Sequence, residues 1–203
     1  MSLFAFYVVV VTLGILSMGF QLLASRLLNP HFGSAIDVWA CLISTFLTAF
    51  SAGSMIGGWI SNLPAEARRR WQLGGAVLAV VTLAITALFA RTVLGRIELA
   101  FEPGSTPILV SCFGVFFLPV AALSSFGPQC VQFLASRGMP PGKASGIVYG
   151  VSTLGNIAGV MLTAFLLIPH LRVSTLLYVW LGVAIVSLAA LLRLLRAPSL
   201  PSP

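Results

Sequence analysis

Carboxylates are almost missing from this chain: Asp37, Glu66, Glu98 and Glu102 are the acidic residues among 203, and the basic residues number only 11. Histidine is scarcer still, and His31 and His170 both fall in connections between apolar runs. With no carboxylate inside an apolar run and both histidines in turns, the sequence shows no nucleophile, base and orienting group, and metal chemistry would need ligands that it lacks. Cysteine is limited to Cys41, Cys112 and Cys130, each in a different apolar run and none in a C-x-x-C pair, so they read as small buried packing residues. Neither an enzyme nor a cofactor nor a metal centre is expected.

What fills the chain instead is hydrocarbon. Hydrophobic residues make up 59% of it, charged ones 7%, and the mean hydropathy is +1.07. Charge is costly at the centre of a bilayer, so the charged residues must sit at helix ends and thereby mark the loops. A span needs roughly 20 apolar residues. The charge-poor stretches divide into six helices, about 3–23, 38–60, 73–90, 108–133, 146–168 and 176–192. The expected fold is an all-α integral membrane bundle, a single transmembrane domain over 1–203 with short connections. The first run has no basic n-region and no small-x-small cleavage pattern, so it is expected to stay as the first helix rather than act as a signal peptide.

The net charge of +7 is first of all an orientation signal. Arg68, Arg69, Arg70, Arg137, Lys143, Arg193 and Arg196 fall on the side that holds both termini, whereas Arg26, Arg91, Arg96 and Arg172 fall on the other beside Asp37, Glu98 and Glu102. By the positive-inside rule both termini are cytoplasmic, and the expected location is a bacterial inner membrane. Membrane lipid is the expected partner of the basic excess, and nucleic acid is not.

The second helix carries Ser51, Gly53, Ser54, Gly57 and Gly58, and the fifth carries Gly146, Gly150, Gly155 and Gly159. Small residues four apart let helix backbones approach closely, which is how helices pack in lipid. Gly53, Gly57, Gly155 and Gly159 are therefore packing candidates, in a fixed seam or a sliding one. Matching glycine-rich helices at positions two and five also fit two three-helix repeats, as within each six-helix half of a major facilitator.

Polar residues inside the spans are the candidate site. Gln21 lies late in the first helix, Gln129 and Gln132 lie on the fourth near Pro119 and Pro128, and Asn156 lies mid-way along the fifth with Ser152 and Thr153. They can line one polar cleft or act as hydrogen-bonding glue between helices. Arg26 and Asp37 flank the N-P-H-F-G turn, where an ion pair would pin the first two helices, with His31 a titrating or simply solvated neighbour.

The stretch Q-L-L-A-S-R-L-L-N-P-H-F-G-S (21–34), Trp39, G-G-W-I-S-N (57–62) and S-T-L-G-N-I-A-G-V-M-L-T-A-F-L-L-I-P (152–169) together resemble the membrane domain of the fused major-facilitator/spermidine synthase family. The resemblance spans the first five helices and implies a bundle like half of a major-facilitator domain. In that family a Rossmann-like aminopropyltransferase domain usually follows. Here the sequence ends at Pro203, eleven residues past the last expected helix, and holds no Gly-rich strand-turn-helix loop for a nucleoside, so aminopropyl transfer is not expected of it. The charged residues that follow the Gly-Gly pair in the family are replaced by Asn62 and Leu63, which departs from a transporter-style gating loop. The resulting expectation is a non-catalytic membrane subunit docking another membrane or membrane-associated protein. The other reading is a half-size facilitator that self-associates and carries a small neutral or anionic solute.

Overall fold

The computed structural model describes residues 3–195; Arg196, counted above in the basic excess, lies outside them. Six helices are long and apolar enough to cross a membrane: α1 (Leu3–Phe32), α2 (Ile36–Ser61), α3 (Ala65–Ala100), α4 (Ser105–Ala135), α5 (Pro141–His170) and α6 (Val173–Leu195). No strand occurs among the described residues. All six spans stand where charge-poor runs predict them, but every helix is longer than its run. α3 is the extreme case: its 36 residues take in Arg68, Arg69 and Arg70 at one end and Arg91, Arg96 and Glu98 at the other. At 1.5 Å per residue it is about 54 Å long against a hydrocarbon core of about 30 Å, so its charged turns lie beyond the apolar layer. Charge marks where lipid ends; it does not mark where a helix ends.

Glycines close two of the helices. Gly33 (φ 73) and Gly138 (φ 87) adopt the left-handed conformation that favours glycine, just after α1 and α4. α1 thus runs through Pro30 to Phe32, and the expected N-P-H-F-G turn shrinks to Gly33, Ser34 and Ala35.

This extension corrects the expected ion pair. Arg26 sits nearly two turns inside α1, whereas Asp37 is in the first turn of α2, where its Oδ1 accepts the Val38 N–H at 3.0 Å. Arg26 and Asp37 make no contact within 4 Å; the pair formed among the described residues is His31 with Glu98, Nδ1 to Oε2 at 2.6 Å. It ties the end of α1 to the end of α3. His31 is therefore a bridging residue and not a solvated one, and a Cβ at Gly95 would stand only 3.6 Å from its ring.

α1 packs chiefly on α5 and α6, α2 on α4, and α3 on α4 and α6. Two seams are lined by glycine. A Cβ added at Gly53 would strike Ala121 O and Ser124 Oγ on α4, and one at Gly57 would strike Ser125 O. On the opposite flank Gly155 meets Val11 O, and a Cβ at Gly159 would lie 2.5 Å from Ile15 O. Gly14 of α1 answers from its side, against Ser152 O. Gly58, Gly146 and Gly150 take no part, since a Cβ on any of them meets nothing within 4 Å. The step from Gly150 to Gly155 is five residues, a rotation of about 140°, so the two glycine pairs of α5 face different ways.

Phe20, Phe46 and Phe116 meet at the centre, with ring centroids 6.1 Å (Phe20 to Phe46) and 5.9 Å (Phe20 to Phe116) apart. Trp180 of α6 donates its indole N–H to Leu16 O of α1 at 3.0 Å. α4 is the most deeply buried helix and α5 the least. Leu47, Met55, Leu88, Phe165 and Val186 point outward, so the outer surface is the apolar one that lipid requires.

Two of the three prolines of α4, Pro119 and Pro128, lie in its interior and distort it. Pro119 cannot donate to Val115, a π-helical stretch occupies Phe113–Phe117, and Thr86 of α3 donates its hydroxyl to the freed Val115 O at 3.2 Å. Before Pro128 the helix breaks at Ser125, which stands between the segments Leu118–Ser124 and Phe126–Ala135. In α5 the π-helical stretch Leu162–Leu167 precedes Pro169. Beyond it His170 Nδ1 lies 2.7 Å from Leu166 O; a carbonyl only accepts, so that nitrogen carries the proton.

Candidate functional site

The glycine seams decide where polar groups emerge. Ser54 follows Gly53 and Asn156 follows Gly155, so each is turned about 100° from a backbone contact, toward the opening between the two seams. There α1, α2, α4 and α5 enclose a groove of about 240 Å³. Its polar lining is Ser17, Ser54, Ser124, Tyr149, Ser152 and Asn156, set among apolar side chains such as Met18 and Phe50. The Ser124 hydroxyl is already engaged, donating to Ala121 O at 3.1 Å and to Ala49 O of α2 at 3.2 Å. Asn156 differs, because its Oδ1 is buried and has no hydrogen-bond partner.

The four polar candidates are not gathered in one place. Asn156 lines the groove. Gln129 and Gln132 line a separate cavity of about 140 Å³ at the end of the bundle where α2 gives way to α3, together with Ser61, Arg68, Gln72 and Arg137. Gln21 lines neither: it is 18 residues beyond Leu3, about 27 Å along α1, and so lies toward the opposite surface. Gln129 is buried and donates its Nε2 to Ser125 O, four residues back, at 2.9 Å. That bond satisfies a carbonyl of its own broken helix rather than joining two helices. Arg26 lines a third cavity of about 300 Å³ by the α1 to α2 turn, with Ser25, Asn29, Ser34 and Trp39, and Asp37 is outside its lining.

Hydroxyls and one amide can orient a neutral polar group by hydrogen bonds, and they carry no charge to offset a buried ion. Ser17, Ser124 and Tyr149 were not singled out by sequence, and Ser54 was read only as a small packing residue, because a hydroxyl in an apolar helix commonly bonds its own backbone. A usable signal was present in the parallel between G-S (53–54) and G-N (155–156), where the residue after a seam glycine is polar in both helices. Compared with protein-family models, with curated proteins and with solved structures, the chain matches none of them.

Proposed function

We propose that this chain is a non-catalytic integral membrane subunit that docks a second membrane-embedded protein across the groove between α1, α2, α4 and α5. The observation that carries the reading is Asn156: its Oδ1 is buried without a partner, as are polar atoms of Thr45, Ser111, Gln129 and Thr163, but of these five residues Asn156 is the one that lines the outward-opening groove. Lipid tails offer no replacement hydrogen bond, so a polar side chain from a neighbouring helix is the natural complement of that amide. The neutral groups of Ser17, Ser54, Tyr149 and Ser152 extend the same polar strip along a face that would otherwise meet hydrocarbon.

A second reading, a half-size facilitator acting as a homodimer on a small neutral or anionic solute, is favoured by the packing order. Exchanging the first three helices for the last three carries the contact of α1 with α5 onto that of α4 with α2, and α1 with α6 onto α4 with α3. The seams follow the same exchange, Gly53 and Gly57 against Ala121 and Ser125, Gly155 and Gly159 against Val11 and Ile15. Such matching supports paired three-helix repeats and, with them, the resemblance to the membrane module of spermidine synthase-like proteins. The basic asymmetry supports cytoplasmic termini in a bacterial inner membrane.

Purification from the native membrane in mild detergent, with and without Asn156→Leu, separates the readings. A stoichiometric second protein that is lost in the variant is the expected result. A homodimer lost in the variant would promote the facilitator, and a monomer with nothing bound would sink both.

A further inference from the structure

The cavity at the α2 to α3 end of the bundle is independent of the groove and, unlike it, is lined by charge. Arg68 and Gln72 reach it from the first turns of α3, and Gln129, Gln132 and Arg137 reach it from the end of α4. Neither arginine has a carboxylate within 4 Å among the described residues. Glu66 is exposed in the same turn of α3 and pairs with neither. Two arginines from different elements therefore line one small cavity with the same charge and no carboxylate between them, an arrangement that an anion in the cavity relieves.

The donors are also held ready. The guanidinium carbon of Arg137 lies 4.2 Å from the centroid of the Phe133 ring, so stacking fixes the planar group while its N–H edge stays available. Gln72 is only 9% exposed, and its amide forms no hydrogen bond within the described residues, leaving its N–H groups to the cavity it lines. The cavity also lies by the N-terminus of α3, whose backbone dipole favours negative charge. Basic pockets between transmembrane helices at the cytoplasmic surface suit phospholipid head groups, and planar arginine forks match phosphate oxygens.

We propose that Arg68, Arg137 and Gln72 form a binding site for a phosphate oxyanion, presented by an anionic phospholipid head group or by a small free phosphate. The full chain in nonionic detergent is heated in the presence of short-chain phosphatidylglycerol, short-chain phosphatidylcholine, or inorganic phosphate at constant ionic strength. A saturable rise in unfolding temperature is expected with phosphatidylglycerol or phosphate. A response to phosphatidylglycerol alone assigns the head group; a response to inorganic phosphate as well assigns the free oxyanion. Arg68→Gln and Arg137→Gln should abolish the rise, whereas Arg70→Gln, exposed and outside the cavity lining, should keep it. Gln72→Leu, which leaves the charge unchanged, should weaken the midpoint about tenfold. No saturable rise with any probe, an equal rise with phosphatidylcholine, or an equal loss in Arg70→Gln would each overturn the site.

Discussion

At Gly155 and Gly159 a hydrogen atom is the largest side chain that α1 leaves room for, because the nearest atoms are the backbone of Val11 and Ile15 rather than flexible side-chain ends. A helix backbone cannot yield by the ångström or more that a leucine needs without separating the helices along their length. Gly57→Leu and Gly155→Leu should each cost about 3 kcal/mol in reversible unfolding from mixed micelles, the upper end for overpacking, because the obstacle is backbone. Gly182, where a Cβ meets nothing within 4 Å, is the control, and Gly182→Leu should stay within about 0.5 kcal/mol. Equal losses at all three sites would refute the seams. Spacing put the four seam glycines among the candidates, but it put Gly146 and Gly150 there too, and they meet nothing within 4 Å. The partners across the seams were not legible, since spacing names a face but not the carbonyls across it. The expected pairing of Arg26 with Asp37 failed for a related reason: closeness in sequence was read as closeness in space, and two extra helical turns of α1 came between them.

A helix interrupted by proline has to place the carbonyl that proline frees, and in α4 the answer comes from another helix. Thr86 bonds both Thr82 O, in its own helix, and Val115 O, across to α4. Thr86→Val keeps the shape and removes the donor, so it should destabilise the bundle by about 1 kcal/mol. Pro119→Ala restores an N–H that can take up Val115 O, so in that background the same threonine change should cost less. A coupling indistinguishable from zero in this double-mutant cycle would show that Thr86 does not serve the freed carbonyl. The six spans and their order were readable because apolar length is a one-dimensional property of the sequence. The π-helical stretches and the break at Ser125 were not, since a proline announces a disturbance without saying whether bulge, break or bend absorbs it. Between a polar cleft and hydrogen-bonding glue the sequence could not choose: Asn156 lines the groove, Gln129 and Gln132 a separate cavity and Gln21 neither, and the apolar pattern does not say which helix faces meet.

At the scale of the whole molecule, orientation and cargo follow from where charge is placed. Cysteines introduced singly at Ala65 and Ser105, the exposed first residues of α3 and α4, should react with an impermeant reagent from opposite sides of sealed vesicles, with Ala65→Cys on the cytoplasmic side. Labelling of both from one side would contradict a single crossing by α3. Cargo is constrained more tightly. A polyamine bears several positive charges, and carrying it through hydrocarbon calls for carboxylates at membrane depth. The groove offers hydroxyls and an amide, and the cavity beyond it offers two arginines, which repel a cation. Asp37 stands in the first turn of α2, outside the lining of both, and one of its two carboxylate oxygens accepts the Val38 N–H. Purified chain in liposomes should therefore show no saturable spermidine uptake. Asp37→Asn, which keeps an oxygen for Val38 and breaks no ion pair, should leave the unfolding midpoint nearly unchanged. Saturable uptake by the chain alone, abolished by Asp37→Asn in protein that still unfolds at the parent temperature, would show that a single interfacial carboxylate suffices and would replace the subunit with a carrier.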